Sequence, residues 1–159
     1  METVVEPVLT QIVVTSYEGD LSESGKYDGV GYAVMDNECI YEGFFKNGLF
    51  HGKGRFTWTD NVAFEGDFEY GQMIGKGVYE WSDGSTYEGS IKNGKRHGKG
   101  VFRCSAGQLY EGDWMNGRRH GSGVMSYNEE KTIVYTGEWA NGLREGYGLM
   151  RYFSGNTYE

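Results

Sequence analysis

The sequence predicts an all-β fold, a single-layer antiparallel meander of tandem β-hairpins in an elongated, curved array. Three observations carry this expectation. An aromatic-Glu-Gly unit begins at Tyr17, Tyr41, Phe64, Tyr87, Tyr110 and Tyr135 and starts again at Tyr158, at spacings of 24, 23, 23, 23, 25 and 23 residues, with Thr136 replacing the glutamate in the sixth copy. A Gly-x-Gly unit keeps the same period, at Gly29/Gly31, Gly52/Gly54, Gly75/Gly77, Gly98/Gly100, Gly121/Gly123 and Gly146/Gly148. Between the two stand the pairs Asn47-Gly48, Asn93-Gly94, Asn116-Gly117 and Asn141-Gly142, with Tyr70-Gly71 as the variant. Self-similarity at a fixed period of about 20–50 residues is the signature of a repeat architecture.

Composition excludes the competing classes. The chain has 159 residues, with 27 glycines, one proline and 16% aromatics. Collagen requires a strict Gly-X-Y period and abundant proline, and disordered chains are poor in aromatics. A formal net charge of −8 argues against a nucleic-acid partner, which needs a basic stripe, and weakens the case for an anionic membrane. Cys39 and Cys104 are too few for a disulfide framework. The register sets them about six strand spacings apart, roughly 29 Å against a limit of about 7 Å for a bridge, so a reducing compartment is expected. Ile12-Val13-Val14 is too short to span a bilayer, and residues 1–16 carry no Lys or Arg for a signal peptide. These features lead us to expect a soluble cytoplasmic protein.

In chain order, residues 1–16 form a lead-in able to supply a capping strand, and 17–159 form the repeat array, six copies and the start of a seventh. Because Tyr158-Glu159 opens a seventh unit, the chain is expected to be a piece of a longer polypeptide. In the fourth copy Tyr87, Gly89 and Ile91 alternate with Glu88 and Ser90, as a period-2 strand requires. Asn93-Gly94 suits a type I′ turn, whose two central residues both need positive φ. An uninterrupted ladder from that turn would set Glu88 opposite Lys99, Gly89 opposite Gly98 and, in the next copy, Gly112 opposite Gly121. It would likewise pair Glu65 with Lys76 and Glu42 with Lys53. Connections centred on Gly84 and Gly107 would pair Trp81 with Tyr87 and Cys104 with Tyr110, and the longer sixth junction falls at Asn128 to Thr132.

One face then carries Tyr41, Phe45, Phe56, Trp58, Phe64, Phe68, Tyr79, Trp81, Tyr87, Phe102, Tyr110, Trp114, Tyr127 and Trp139, with glycines between the rings. No 3.6-residue pattern supplies a second layer, so stacking of neighbouring repeats must provide most of the stability.

The pattern Tyr-Glu-Gly-x4-Gly-x2-His-Gly-x-Gly, complete at Tyr110-Glu111-Gly112, Gly117, His120-Gly121 and Gly123, resembles the MORN repeat over residues 17–159. Asp28, Ile74 and Glu145 depart from its histidine position. Val14-Thr-Ser-Tyr-Glu-Gly19, Trp81-Ser-Asp-Gly-Ser-Thr-Tyr-Glu-Gly89, Asn116-Gly-Arg-Arg-His-Gly121, Phe102-Arg-Cys104 and Tyr127-Asn-Glu129 are similar to stretches of the radial spoke head MORN proteins of motile cilia. That resemblance implies a structural role in the ciliary or flagellar axoneme, with other radial spoke proteins as partners.

No catalytic, metal or cofactor site is expected. His51, His97 and His120 simply follow the repeat period, without a cysteine or carboxylate cluster to complete a site. The Gly-x-Gly units lack the Gly-Lys-Ser/Thr and the helix of a phosphate loop. The candidate partner-binding residues are Trp58, Phe64, Trp81, Tyr87, Tyr110 and Trp114 on the aromatic face, where an extended or helical peptide would lie. The alternative is a basic edge of hairpin tips, Lys95, Arg96, Arg118 and Arg119, contacting a phosphoinositide membrane or an acidic peptide. Open sheet ends and faces leave self-association as a further route.

Overall fold

The computed structural model describes residues 4–7, 9, 13–153 and 156–158. Thirteen strands follow in sequence: β1 Val14–Leu21, β2 Tyr27–Met35, β3 Ile40–Lys46, β4 Leu49–Thr57, β5 Ala63–Glu69, β6 Gln72–Glu80, β7 Thr86–Lys92, β8 Lys95–Arg103, β9 Leu109–Met115, β10 Arg118–Ser126, β11 Ile133–Ala140, β12 Leu143–Tyr152 and β13 Thr157–Tyr158. Each pairs antiparallel with its neighbours in the chain, giving one sheet in the order β1 to β13. β1 already includes residues assigned from sequence to the lead-in.

The turns take the expected form. Asn47, Asn93, Asn116 and Asn141 have φ of 51–52°, and the glycine after each is also positive, as type I′ demands. The glycine N–H then joins one repeat to the previous one: Gly48 donates to Tyr27 O, Gly71 to Phe50 O, Gly117 to Arg96 O and Gly142 to Arg119 O, at 2.8–2.9 Å.

The ladder departs from the uninterrupted register. Lys92 faces Lys95 and Ile91 faces Arg96, but Gly89 faces Gly100 and Tyr87 faces Phe102, so β8 carries two extra residues against β7. The first glycine of each Gly-x-Gly makes this bulge. Gly52, Gly75, Gly98, Gly121 and Gly146 have φ of 57–69°, a conformation that suits glycine. The second glycine, not the first, therefore opposes the glycine of the aromatic-Glu-Gly unit, and Gly112 faces Gly123. Glu42 faces Arg55, Glu65 faces Val78 and Glu88 faces Val101, in place of the three expected lysine pairs.

The ion pairs run between hairpins instead. Lys53 reaches Asp67 at 2.8 Å, Lys99 reaches Asp113 at 2.7 Å, and Arg55 bridges Glu65 and Glu80. The second connection is shorter than expected by the same two residues: the Trp81 N–H donates to Ser85 O and the Cys104 N–H to Gln108 O. Tyr87 accordingly faces Tyr79, and Tyr110 faces Phe102. The sixth junction is the longer loop expected, closed by Tyr127 N–H on Ile133 O. Both register differences are even, so every side chain keeps its assigned face.

The core is that aromatic face, a continuous cluster from Ala33 and Met35 to Tyr135 and Trp139. Rings of successive repeats meet edge to face, as Tyr87 meets Trp114 at 5.4 Å and Tyr110 meets Trp139 at 5.3 Å. This is the arrangement the ring quadrupole favours.

Candidate interaction face

Each hairpin presents its leading aromatic ring over a pair of bare glycines. A Cβ added to Gly112 would lie 2.5 Å from the Gly123 Cα and 2.7 Å from the Tyr110 hydroxyl. Glycine is required here because the ring occupies the space a side chain would need. The tyrosine hydroxyl then reaches the strand where the register slips: Tyr41 donates to Phe44 O at 2.9 Å, Tyr87 to Ser90 O at 2.8 Å and Tyr110 to Asp113 O at 2.9 Å. The indole N–H groups are satisfied across repeats, Trp114 on Gly100 O and Trp139 on Gly123 O. Burial pushes the Tyr110 phenol up to about 12 and raises the Tyr41, Tyr79 and Tyr87 phenols as well, because the charged phenolate is the form desolvation penalises.

This construction decides where the candidate residues lie. Trp58, Phe64, Trp81, Tyr87, Tyr110 and Trp114 are all brought to one face, and all are buried. They form its floor. The expected basic edge does not exist as a unit. Lys95 and Arg118 stand exposed at the hairpin tips, whereas Arg96 is buried and Arg119 half-buried on the aromatic face. The reason is alternation: residues one and two positions after the turn glycine point to opposite faces. The Arg96 guanidinium lies 4.6 Å from the Trp114 ring and 5.3 Å from the Trp81 ring, and that of Arg119 lies 4.4 Å from Trp139, within cation–π range. Burial lowers the Arg119 pKa, though a guanidinium stays charged at neutral pH.

The same position in successive hairpins is held by Tyr27, Phe50, Met73, Arg96, Arg119 and Arg144. The column turns from apolar to cationic half-way along the array.

The aromatic face also has a partial second layer that sequence periodicity does not reveal. Leu9 lies beside the apolar end of the column, and Glu6 and Val4 lie beside its arginines. The Glu6 carboxylate, 6% exposed, forms an ion pair with Arg96, 4% exposed, and accepts the Arg96 backbone N–H at 3.1 Å. Val5 O accepts the Trp81 indole N–H at 3.2 Å, and Val4 O accepts an Arg96 N–H at 3.0 Å. Residues 4–7 are a non-strand segment laid over the aromatic face. The signal that could have exposed it is the isolated Glu6-Pro7 pair, since proline confines the preceding residue to extended conformations.

A protein-family model, described as the MORN repeat, matches residues 41–62, 64–86, 87–108, 110–129 and 135–157, more than half of the chain. The chain belongs to the MORN repeat family. The hairpins from β3 to β12 are the matched MORN units, while the looser first hairpin, β1–β2, extends the same sheet outside the matched residues. Comparison with curated proteins found no match. MORN hairpins form a protein-interaction or membrane-binding repeat scaffold, and the histidines fall within it as bulge residues: His51, His97 and His120 each precede the positive-φ glycine.

Proposed function

We propose that this chain is a structural protein-interaction scaffold that takes an extended segment along its aromatic face, as a component of the radial spoke head of the ciliary or flagellar axoneme. The observation that carries the binding mode is the seating of residues 4–7. A non-strand segment lies over Trp81 and Arg96, and the face meets its backbone carbonyls with an indole N–H and a guanidinium. A partner's peptide carries the same carbonyls at the same interval. The axonemal assignment rests on the stretches similar to radial spoke head proteins of the 10 homologue B type, above all Phe102-Arg-Cys104 and Tyr127-Asn-Glu129. On this reading the protein works in the cytoplasmic space of the cilium, with other spoke proteins as partners.

The exposed tip cations Lys95 and Arg118 support the second reading, contact with phosphoinositide membranes. The two separate in one experiment. Binding to isolated axonemal proteins and flotation with phosphoinositide vesicles are compared for Trp81→Ala and for Lys95→Ala/Arg118→Ala, at low and physiological salt. Loss of axonemal binding with Trp81→Ala, with the sheet intact by circular dichroism, supports the scaffold. Loss of vesicle binding with the tip variant alone, relieved by salt as exposed charges require, supports the membrane reading instead.

A further inference from the structure

The cationic half of the column has a use that the floor of rings does not require. Arg96, Arg119 and Arg144 each lie over an aromatic ring, at 4.6, 4.4 and 5.4 Å from Trp114, Trp139 and Tyr135. Arg96 and Arg119 each also donate to the turn glycine of the next repeat, Gly117 O at 2.9 Å and Gly142 O at 2.8 Å. At Arg119 a second guanidinium N–H also rests on Met125 Sδ at 3.7 Å; ring, carbonyl and thioether hold the fork in place and leave the remaining donors for a ligand. At Arg96 that ligand is visible: the Glu6 carboxylate sits beside Gly117, with an oxygen 2.9 Å from where a Cβ would stand. Among the described residues, Arg119 and Arg144 have no carboxylate partner. The site is continued by a hollow of about 350 Å³ between Val4, Arg119 and Leu143.

We propose, resting on the scaffold reading, that this half of the face is a reader of carboxylates spaced three residues apart in an extended segment of a partner protein. This chain's own Glu6 occupies the first position in cis. The spacing follows from two geometries. Successive arginines lie two strands apart, about 9.6 Å at ~4.8 Å per strand. A polyproline II segment advances about 9.3 Å in each three-residue turn, so side chains at i, i+3 and i+6 fall in step with Arg96, Arg119 and Arg144. A β-strand, alternating every two residues, falls out of step. Pro7 directly after Glu6 biases the cis segment towards that same extended conformation. Charge selects the occupant as well: a chain with net charge −8 gathers three arginines on one face, complementary to an acidic segment.

The test uses the full chain and a fluorescein-labelled polyproline peptide with glutamate at every third position, followed by fluorescence anisotropy. Replacing the peptide's glutamates by glutamine, or moving them to every second position, is expected to weaken binding about tenfold or more, the scale of lost charge-assisted hydrogen bonds. Arg119→Gln and Arg144→Gln are each expected to weaken it similarly, with Lys95→Gln/Arg118→Gln as the unaffected control. Glu6→Gln, by freeing the first position, is expected to strengthen it. Arg144 is exposed, so its variant remains informative even if Glu6→Gln impairs folding. Equal binding of glutamate and glutamine peptides, or indifference to Arg119→Gln and Arg144→Gln, overturns the proposal. So does self-association of Glu6→Gln in sedimentation velocity, which would make a second copy the occupant. Phosphoinositide flotation that depends on Arg119 while the peptide fails to bind also overturns it. If the peptide fails but Trp81→Ala still abolishes axonemal binding, the scaffold stands and only the carboxylate spacing falls.

Discussion

Glu6 and Arg96 form a buried ion pair across 90 residues of sequence, with Glu6 seated against Gly117 and the guanidinium stacked on Trp114. Removing one partner of such a pair leaves the other charge desolvated. Glu6→Ala is expected to destabilise the fold by about 3 kcal/mol, within the range for breaking a buried pair. Replacing both, Glu6→Met with Arg96→Met, is expected to cost less, because methionine already fills the equivalent position at Met73. Urea unfolding of the three chains measures the difference; equal midpoints for Glu6→Ala and the wild-type chain would refute it.

Gly112 faces Gly123 beneath the Tyr110 ring. Gly112→Val drives methyl groups into the facing backbone and should cost about 1–3 kcal/mol or more by overpacking. Ser90→Val, on the charged face, should stay within about 0.5 kcal/mol. Equal thermal midpoints for the two would show that the faces are wrongly assigned.

The Tyr87 hydroxyl holds the Ser90 carbonyl at the register slip. Tyr87→Phe keeps the ring and loses that bond, for an expected cost of about 1 kcal/mol. Phe64 makes the same substitution naturally in the third unit, so the sheet should remain intact by circular dichroism while its unfolding midpoint falls.

Tyr70 adopts φ of 49° at a turn where the other repeats place asparagine, and its side chain is exposed. Left-handed backbone is costly for an aromatic residue and tolerated by asparagine. Tyr70→Asn should therefore raise stability by about 0.5–1 kcal/mol, read as a higher melting temperature; an unchanged or lower value would assign the turn a different role.

Burial raises the phenol pKa of Tyr41, Tyr79, Tyr87 and Tyr110 above the ordinary value of 10.0. In the unfolded chain these groups ionise first, so the folded state binds more protons above that pH. Stability is then full below pH 10 and declines as pH rises towards and through the folded value, about 12 for Tyr110. Alkaline unfolding followed by circular dichroism should coincide with tyrosinate absorbance from these four residues. Their ionisation in a still-folded sheet would contradict the burial.

What the sequence determined by itself was everything set by short-range geometry. The repeat period, the type I′ turns at Asn93-Gly94 and its equivalents, and the side of the sheet taken by each ring all follow from positive φ and two-residue alternation. Even the register differences left the faces unchanged, because a bulge of two residues preserves alternation. Only the tertiary structure decided which glycine of Gly-x-Gly kinks and which lies under a ring, since both look alike until Tyr110 covers Gly123 and leaves Gly121 with φ of +57°. Likewise, Arg96 and Arg118 read as one basic edge in sequence because both lie within two residues of a turn glycine. Whether such a cation points to solvent or onto Trp114 depends on its strand position, and the buried one is stabilised by a partner no local pattern could supply. Glu6 lies on that arginine because the face binds the lead-in across the repeats, a contact between segments far apart in the chain, and periodicity carries no information about such pairs.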